Sequence, residues 1–168
     1  IEFGAKVIHR PKEISEDHST DLEAFIHADG FIDESDEIIH LRATTPILKE
    51  TVLDEAIDYY LCNNDKCTSM RSGQEMSESL FKFFTLNGIY FEGLLGTDYH
   101  QKNRQSAPKT FIPNGYIDII KRKNITNNNL HGNKILAFIT EPVIEIDTKE
   151  DFDYLEYKIN KQYETHKF

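Results

Sequence analysis

The feature that most constrains the fold is the apolar run Ile38-Ile39-His40-Leu41. It is closed by Thr44-Thr45-Pro46 and followed by Val52, Leu53, Ala56, Ile57, Tyr60 and Leu61. A short, nearly continuous apolar run suits a strand buried on both faces, as strands of parallel sheets are. Apolar residues recurring three and four positions apart give a helix with one buried face. Strand, turn and helix in this order form the repeating step of an α/β sheet. The pattern therefore predicts a buried parallel strand over 38–41 with a helix after it.

The rest of the first half continues the alternation. Lys6 to His9 reads as a short strand broken at Arg10-Pro11, since the residue before proline is pushed out of the helical region. Thr20-Asp21-Leu22-Glu23 is a capping box and predicts a helix to about Ala28. Cys67 to Arg71 reads as another strand. The middle departs from this plan. Leu80 to Leu86 and Ile89 to Phe91 flank Asn87-Gly88, a hairpin signal. A polar loop covers Gly96 to Lys109. Strands are expected at Tyr116–Ile120 and Ile135–Ile139, then a helix over about Asp151 to Lys161 with Phe152, Leu155 and Ile159 on one face. No repeat and no linker divides the chain. The expectation is one domain over residues 1–168, with a hairpin excursion at about 73–113.

Composition sets limits on function. The chain has 168 residues, 39% hydrophobic and 29% charged, values ordinary for a globular protein with a core. A net charge of −10 disfavours a nucleic-acid partner, since a phosphate backbone is bound by clustered cations. No apolar run is long enough to span a membrane, and no secretory signal stands at the N-terminus. Cys62 and Cys67 make neither a disulfide framework nor a four-ligand zinc site, and suit a reducing cytoplasm. The histidines form no His-x-x-x-His pair. Asn127, Asn128 and Asn129 read as a short polar loop.

Two carboxylates stand at alternate positions in Glu145-Ile146-Asp147-Thr148, and Thr148 with Asp151 three residues on is a helix-start signal. Alternate side chains of an extended backbone share a face. Two converging carboxylates suit Mg²⁺, which takes one or two of them and then substrate phosphates. Taken alone, the pair reads first as solvated acids at an exposed strand end. Arg42 and Thr44 follow the carboxyl end of the first apolar run, where open α/β sheets bind ligands. They are equally well explained as a loop that only starts the next helix. Lys82 and Arg104 are suited to a carboxylate or phosphate, or are ordinary solvated cations.

The motifs RPKEISED (Arg10 to Asp17), LRATTPILKETVLDEAI (Leu41 to Ile57), RSGQEMSESLFK (Arg71 to Lys82), RQSAPKTFIPNGYIDI (Arg104 to Ile119) and EIDTKEDFDYLE (Glu145 to Glu156) occur in this order. Together they resemble the acylneuraminate cytidylyltransferases, the CMP-sialic acid synthetases and their relatives. The resemblance covers nearly the whole chain and implies a Rossmann-like α/β nucleotidyltransferase, with a hairpin subdomain exchanged between two subunits of a homodimer. It implies transfer of CMP from CTP to a sialic-acid-like sugar acid, releasing pyrophosphate, with Mg²⁺ as the metal. Glu145 and Asp147 fall on the family's metal-holding and catalytic carboxylates. Arg10 matches the arginine at the cytosine ring. Arg42 stands where many members have a glutamine touching the sugar, and Thr44 falls on the threonine of that loop. Lys82 and Arg104 match cations that reach the neighbouring subunit's site, and Asn114 matches the Asn of a Pro-Asn-Gly turn.

Some positions depart from the family pattern. Arg42 replaces Gln, Ile112 replaces Arg, Asp118 stands where a pocket Tyr is common, and Asp21 replaces a serine near the base. These changes open two alternatives: a nucleotidyltransferase for another sugar or a sugar phosphate, or a non-catalytic assembly protein that keeps the fold. The family also opens with a Gly-rich, Arg/Lys-containing loop that wraps the triphosphate, and these 168 residues contain no such segment. The expectation is a family member truncated at its N-terminus, which binds CTP poorly on its own and has little transferase activity.

Overall fold

The computed structural model describes residues 4–31, 37–126 and 129–165. Ile1 to Phe3 of the N-terminal run, and Asn127 and Asn128 of the expected polar loop, lie outside the described residues. The elements are α1 (Asp21–Ala28), β1 (Glu37–His40), α2 (Glu50–Leu61), β2 (Ser69–Glu75), β3 (Phe84–Asn87), β4 (Tyr90–Gly93), β5 (Phe111–Lys121), α3 (Arg122–Thr126), β6 (Ile135–Ile139) and α4 (Lys149–Thr165). Four strands form one sheet in the order β1-β5-β2-β6, and β3 and β4 form a separate pair. The chain divides into two compact units. One comprises residues 1–41, 49–71 and 117–136; the other comprises 42–48, 72–116 and 137–168.

Local chemistry explains where the first helices begin and end. Thr20 caps α1: its backbone N–H donates to Glu23 Oε2 at 2.7 Å, and its Oγ1 accepts from the Glu23 N–H at 3.3 Å. This reciprocal pair satisfies two amides that the first helical turn leaves without partners. Helix α2 buries Ala56 and Tyr60, which stand one turn apart on the face drawn by the apolar stripe. Burial pushes the Tyr60 phenol above its ordinary value, and its hydroxyl donates to Glu37 at 3.3 Å.

The first unit packs Ala56, Tyr60, Cys67, Met70, Ile117, Ile119, Ile120 and Ile125, each no more than 8% exposed. Strand β5 is buried continuously from Asn114 to Ile120, as a strand covered on both faces must be. Its Asp118 is only 1% exposed and lies 3.4 Å from Arg71 Nε, an ion-pair approach without the alignment of a hydrogen bond. Lys121 Nζ donates to the carbonyls of Cys67 and Asn64, which pins the turn after α2.

Several expectations are corrected here. Strand β1 pairs antiparallel with β5, His40 opposite Asp118, and its residues alternate between exposed and half-buried. It is not the buried parallel strand that the apolar run suggested, because such a run records apolar content and not the direction of its partner. Parallel pairing lies elsewhere in the sheet. Thr68 N donates to Lys134 O and Thr140 N donates to Gly73 O, so β2 and β6 advance together. Lys6 to His9 forms no strand. Leu80–Lys82 is a 3-10 turn and not the start of a hairpin strand. Strand β2 runs beyond Arg71 to Glu75, and β5 is eleven residues long where five were expected.

The hairpin forms as Asn87-Gly88 predicts, with Asn87 opposite Tyr90. Gly88 has φ +61°, a left-handed conformation that suits glycine in a two-residue turn. The Phe84 ring lies 5.4 Å from Phe91 and 5.1 Å from His100. Leu86, Ile89, Tyr90 and Phe91 are each at least 69% exposed.

Candidate active site

Residues 142–147 belong to no strand, so the acidic pair follows β6 in irregular backbone and not at a strand end. The expected alternation nevertheless holds: Glu145 and Asp147 are exposed and Ile146 between them is half-buried. Both sides of the segment are anchored. Ile146 N donates to Thr44 O at 2.8 Å, which joins the Arg42–Pro46 loop to the residue between the two acids. On the other side, Asp151 Oδ2 accepts from Asp147 N at 3.2 Å, from Thr148 N at 2.9 Å and from Thr148 Oγ1 at 2.8 Å. Thr148 Oγ1 in turn accepts from Asp151 N at 3.2 Å. This is the capping box foreshadowed by Thr148 and Asp151, and it starts α4 while fixing the backbone of Asp147.

The hydrogen bonds from Thr148 hold the Asp151 carboxyl below its ordinary 3.8. A carboxyl lowered on folding contributes stability that is present above the unfolded value and is lost as pH falls through the folded one. Acidifying through and below the ordinary carboxylate value should therefore unfasten this cap along with other carboxylate contacts. The Asp151→Asn variant is expected to lose less melting temperature than the parent over that range, measured by circular dichroism. An unchanged pH slope would show that the cap carries none of it.

The Arg42–Pro46 loop packs against Gly115, and the Pro113-Asn114-Gly115 segment expected as a turn lies within β5. Gly115 has φ +64°, and a Cβ placed there would lie 3.1 Å from Arg42 Cδ and 3.2 Å from Thr45 Oγ1. Glycine thus lets the arginine stem and the buried Thr45 close over the backbone. Asn114 is 4% exposed; its Nδ2 donates to Thr140 Oγ1 at 2.7 Å and to Gln74 Oε1 at 3.4 Å. Gln74 Oε1 also accepts from Val143 N at 3.1 Å. Asn114 and Gln74 therefore hold the chain that leads into Glu145.

Lys82 and Arg104 lie in the hairpin excursion and have partners there. Lys82 Nζ donates to Lys102 O at 3.0 Å. Arg104 Nη1 lies 3.2 Å from Glu78 Oε1, and its Nη2 donates to Ser77 O. Arg10 belongs to the other unit, where it lines a cleft of about 320 Å³ together with Asp21, Phe25, His27 and His40. Within the second unit, the backbone brings Thr44 to the acidic pair and Arg42 to Gly115.

Sequence reasoning missed Gln74, Thr45 and the cleft histidines. Gln74 and Thr45 act on partners tens of residues away, and the cleft histidines meet theirs only through the fold, so no motif marks them. Among the described residues, no group of three or more His, Cys, Asp or Glu side chains gathers as a metal cage. Glu145 and Asp147 offer two exposed hard-oxygen donors on an anchored backbone, which suits Mg²⁺, an ion that completes its shell with water and phosphate.

The fold is mixed α/β and Rossmann-like. It matches the solved CMP:2-keto-3-deoxy-manno-octonic acid synthetase complexed with CTP, with a TM-score of 0.65 at 13% identity over 96% of this chain and 75% of that one. It also matches 4-diphosphocytidyl-2C-methyl-D-erythritol synthase from Anaerococcus prevotii, with a TM-score of 0.56 at 11% identity over 84% of this chain and 67% of that one. In sequence, the chain is similar to N-acylneuraminate cytidylyltransferase of Streptococcus agalactiae serotype V, 25% identical over 155 residues. It is also similar to the Escherichia coli O18:K1:H7 enzyme of the same name, 26% identical over 168 residues. These alignments take in 90% and 95% of this chain but only 37% and 39% of the relatives. No protein-family profile matches the chain.

Proposed function

We propose that this chain is part of a cytidylyltransferase that transfers CMP from CTP to a sialic-acid-like sugar acid. The observation that carries this reading is the exposed pair Glu145 and Asp147, anchored between Thr44 O and the Asp151 cap. It stands in a chain similar to relatives named N-acylneuraminate cytidylyltransferase. Glu145 and Asp147 would hold Mg²⁺, which when bound neutralises phosphate charge. Arg10 binds the base in its cleft. Arg42 and Thr44 orient the acceptor, and Asn114 holds the segment that presents the acids. The acceptor oxygen forms a bond to the α-phosphorus, the bond from that phosphorus to the bridging oxygen breaks, pyrophosphate leaves, and the acceptor proton passes to solvent.

The exposed Leu86, Ile89, Tyr90 and Phe91 suit burial against a second copy of the chain. In such a homodimer Lys82 and Arg104 would serve the partner's site after leaving Lys102 O and Glu78. Neither free cysteine is in a disulfide, which suits a reducing cytoplasm. Among the described residues, no helix is long and apolar enough to cross a membrane.

The test is pyrophosphate release by the full protein from CTP with N-acetylneuraminate or 2-keto-3-deoxy-octonate, with and without Mg²⁺. Release that needs both CTP and a sugar acid, and stops with EDTA, is expected. Release only with a sugar phosphate or another nucleotide would overturn the substrate assignment, and none under any pairing would overturn the enzyme reading.

A further inference from the structure

Gln74 lies half-buried on β2, and its carboxamide is engaged on one side only. Its Oε1 accepts from Val143 N at 3.1 Å and from Asn114 Nδ2 at 3.4 Å. A backbone N–H only donates, so the bond from Val143 fixes which end of the carboxamide is the oxygen. Asn114 is fixed in the same way, because its Oδ1 accepts from Tyr116 N at 3.4 Å. Its Nδ2 therefore donates to Gln74 and also to Thr140 Oγ1 at 2.7 Å, and the Thr140 hydroxyl donates to Glu141 O at 2.9 Å. Backbone groups of Tyr116, Glu141 and Val143 thus set the sense of every bond in this chain.

Gln74 Nε2 is left with two donor hydrogens and, among the described residues, no acceptor for either. On a half-buried amide such hydrogens face water, and a ligand oxygen can replace that water without breaking a bond of the protein. The amide also stands at the start of the anchored segment that presents the acids. Gln74 holds Val143, Thr44 O holds Ile146 and the Asp151 cap holds Asp147, so Glu145 lies between the first two of three fixed points. A cation at position 74 would be drawn toward the acid two residues beyond Val143, whereas a neutral amide keeps its donors for a ligand.

We infer that Gln74 is a specificity-determining residue whose Nε2 donates to an oxygen of the sugar-acid acceptor. The inference rests on the reading of the chain as part of a cytidylyltransferase for sugar acids. It adds to that reading a neutral donor on β2, a strand from which no other site residue comes.

The experiment is steady-state pyrophosphate release by the full protein, for the parent, Gln74→Glu and Gln74→Met. CTP and the sugar acid are varied in turn, the acid being N-acetylneuraminate or 2-keto-3-deoxy-octonate, whichever the parent uses better. Gln74→Glu keeps an oxygen for Val143 N and Asn114 Nδ2 but has no donor, so a merely structural role would leave it unmoved. It is expected to melt with the parent, to keep the KM for CTP within about twofold, and to raise the KM for the sugar acid roughly tenfold or more, the scale of two acceptors left facing each other. Gln74→Met removes the donors without adding a charge and should raise the same KM, with a lower melting temperature because Val143 N loses its acceptor. A sugar-acid KM unchanged in either variant overturns the assignment while the enzyme reading stands, and so does an equal rise in both KM values. If the parent releases no pyrophosphate with either sugar acid, the inference falls together with the reading on which it rests.

Discussion

Replacing Asp147 by alanine in the full protein is expected to slow pyrophosphate release by roughly a thousandfold, the scale of losing several kcal/mol of charge neutralisation at the phosphates. Asp147 is exposed and the Asp151 cap grips its backbone amide, not its side chain. The loss should therefore come without unfolding, and the melting temperature should stay close to the parent's, as for surface substitutions away from special contacts. Glu145→Asp keeps the charge but shortens the reach, and is expected to lose less than Asp147→Ala. Metal titration separates the proposed role from a general disturbance: raising Mg²⁺ should recover part of the rate of Glu145→Asp and little of that of Asp147→Ala. Full activity in Asp147→Ala would remove the acidic pair from the site.

The largest expected loss of stability is at Asp118. Its carboxylate is 1% exposed and 3.4 Å from Arg71 Nε, whose side chain is 30% exposed. Removing one member of a buried pair leaves the other charge uncompensated and costs about 3–5 kcal/mol. Because water reaches part of Arg71, the low end applies, about 3 kcal/mol. For a chain of this size that lowers the melting temperature by about 6–12 °C. The double variant Asp118→Leu/Arg71→Met should recover much of the loss, since matched apolar groups remove the charge problem for both partners. If Asp118→Ala melts with the parent, the ion pair contributes nothing to the fold.

These residues also show what a sequence discloses and what it withholds. The starts of α1 and α4 were legible because each cap is closed within four residues, by Thr20 with Glu23 and by Thr148 with Asp151. The hairpin was legible because Asn87-Gly88 selects its own turn. Strand β1 was found but given the wrong partner direction, since pairing is decided by β5, some eighty residues later. For the same reason the chain's spacing did not disclose Arg71 beside Asp118, Gln74 under Val143, or Thr44 bonded to Ile146. The candidate acids were found by type and alternation, whereas the bonds that hold them in place span distances that no local pattern encodes.

The Asp151 cap has a consequence for mutational tolerance. One oxygen, Oδ2, accepts from the amides of Asp147 and Thr148 and from the Thr148 hydroxyl. Charge alone does not specify this residue. A glutamate at 151 would keep the charge but carry the oxygen one methylene further out, and an asparagine would keep an oxygen in reach but lose the charge that strengthens its bonds to the three donors. Drift at position 151 is thus restricted by reach and charge together. A neutral-looking exchange in the first turn of a surface helix would be felt two steps away, in how firmly the chain holds out Asp147.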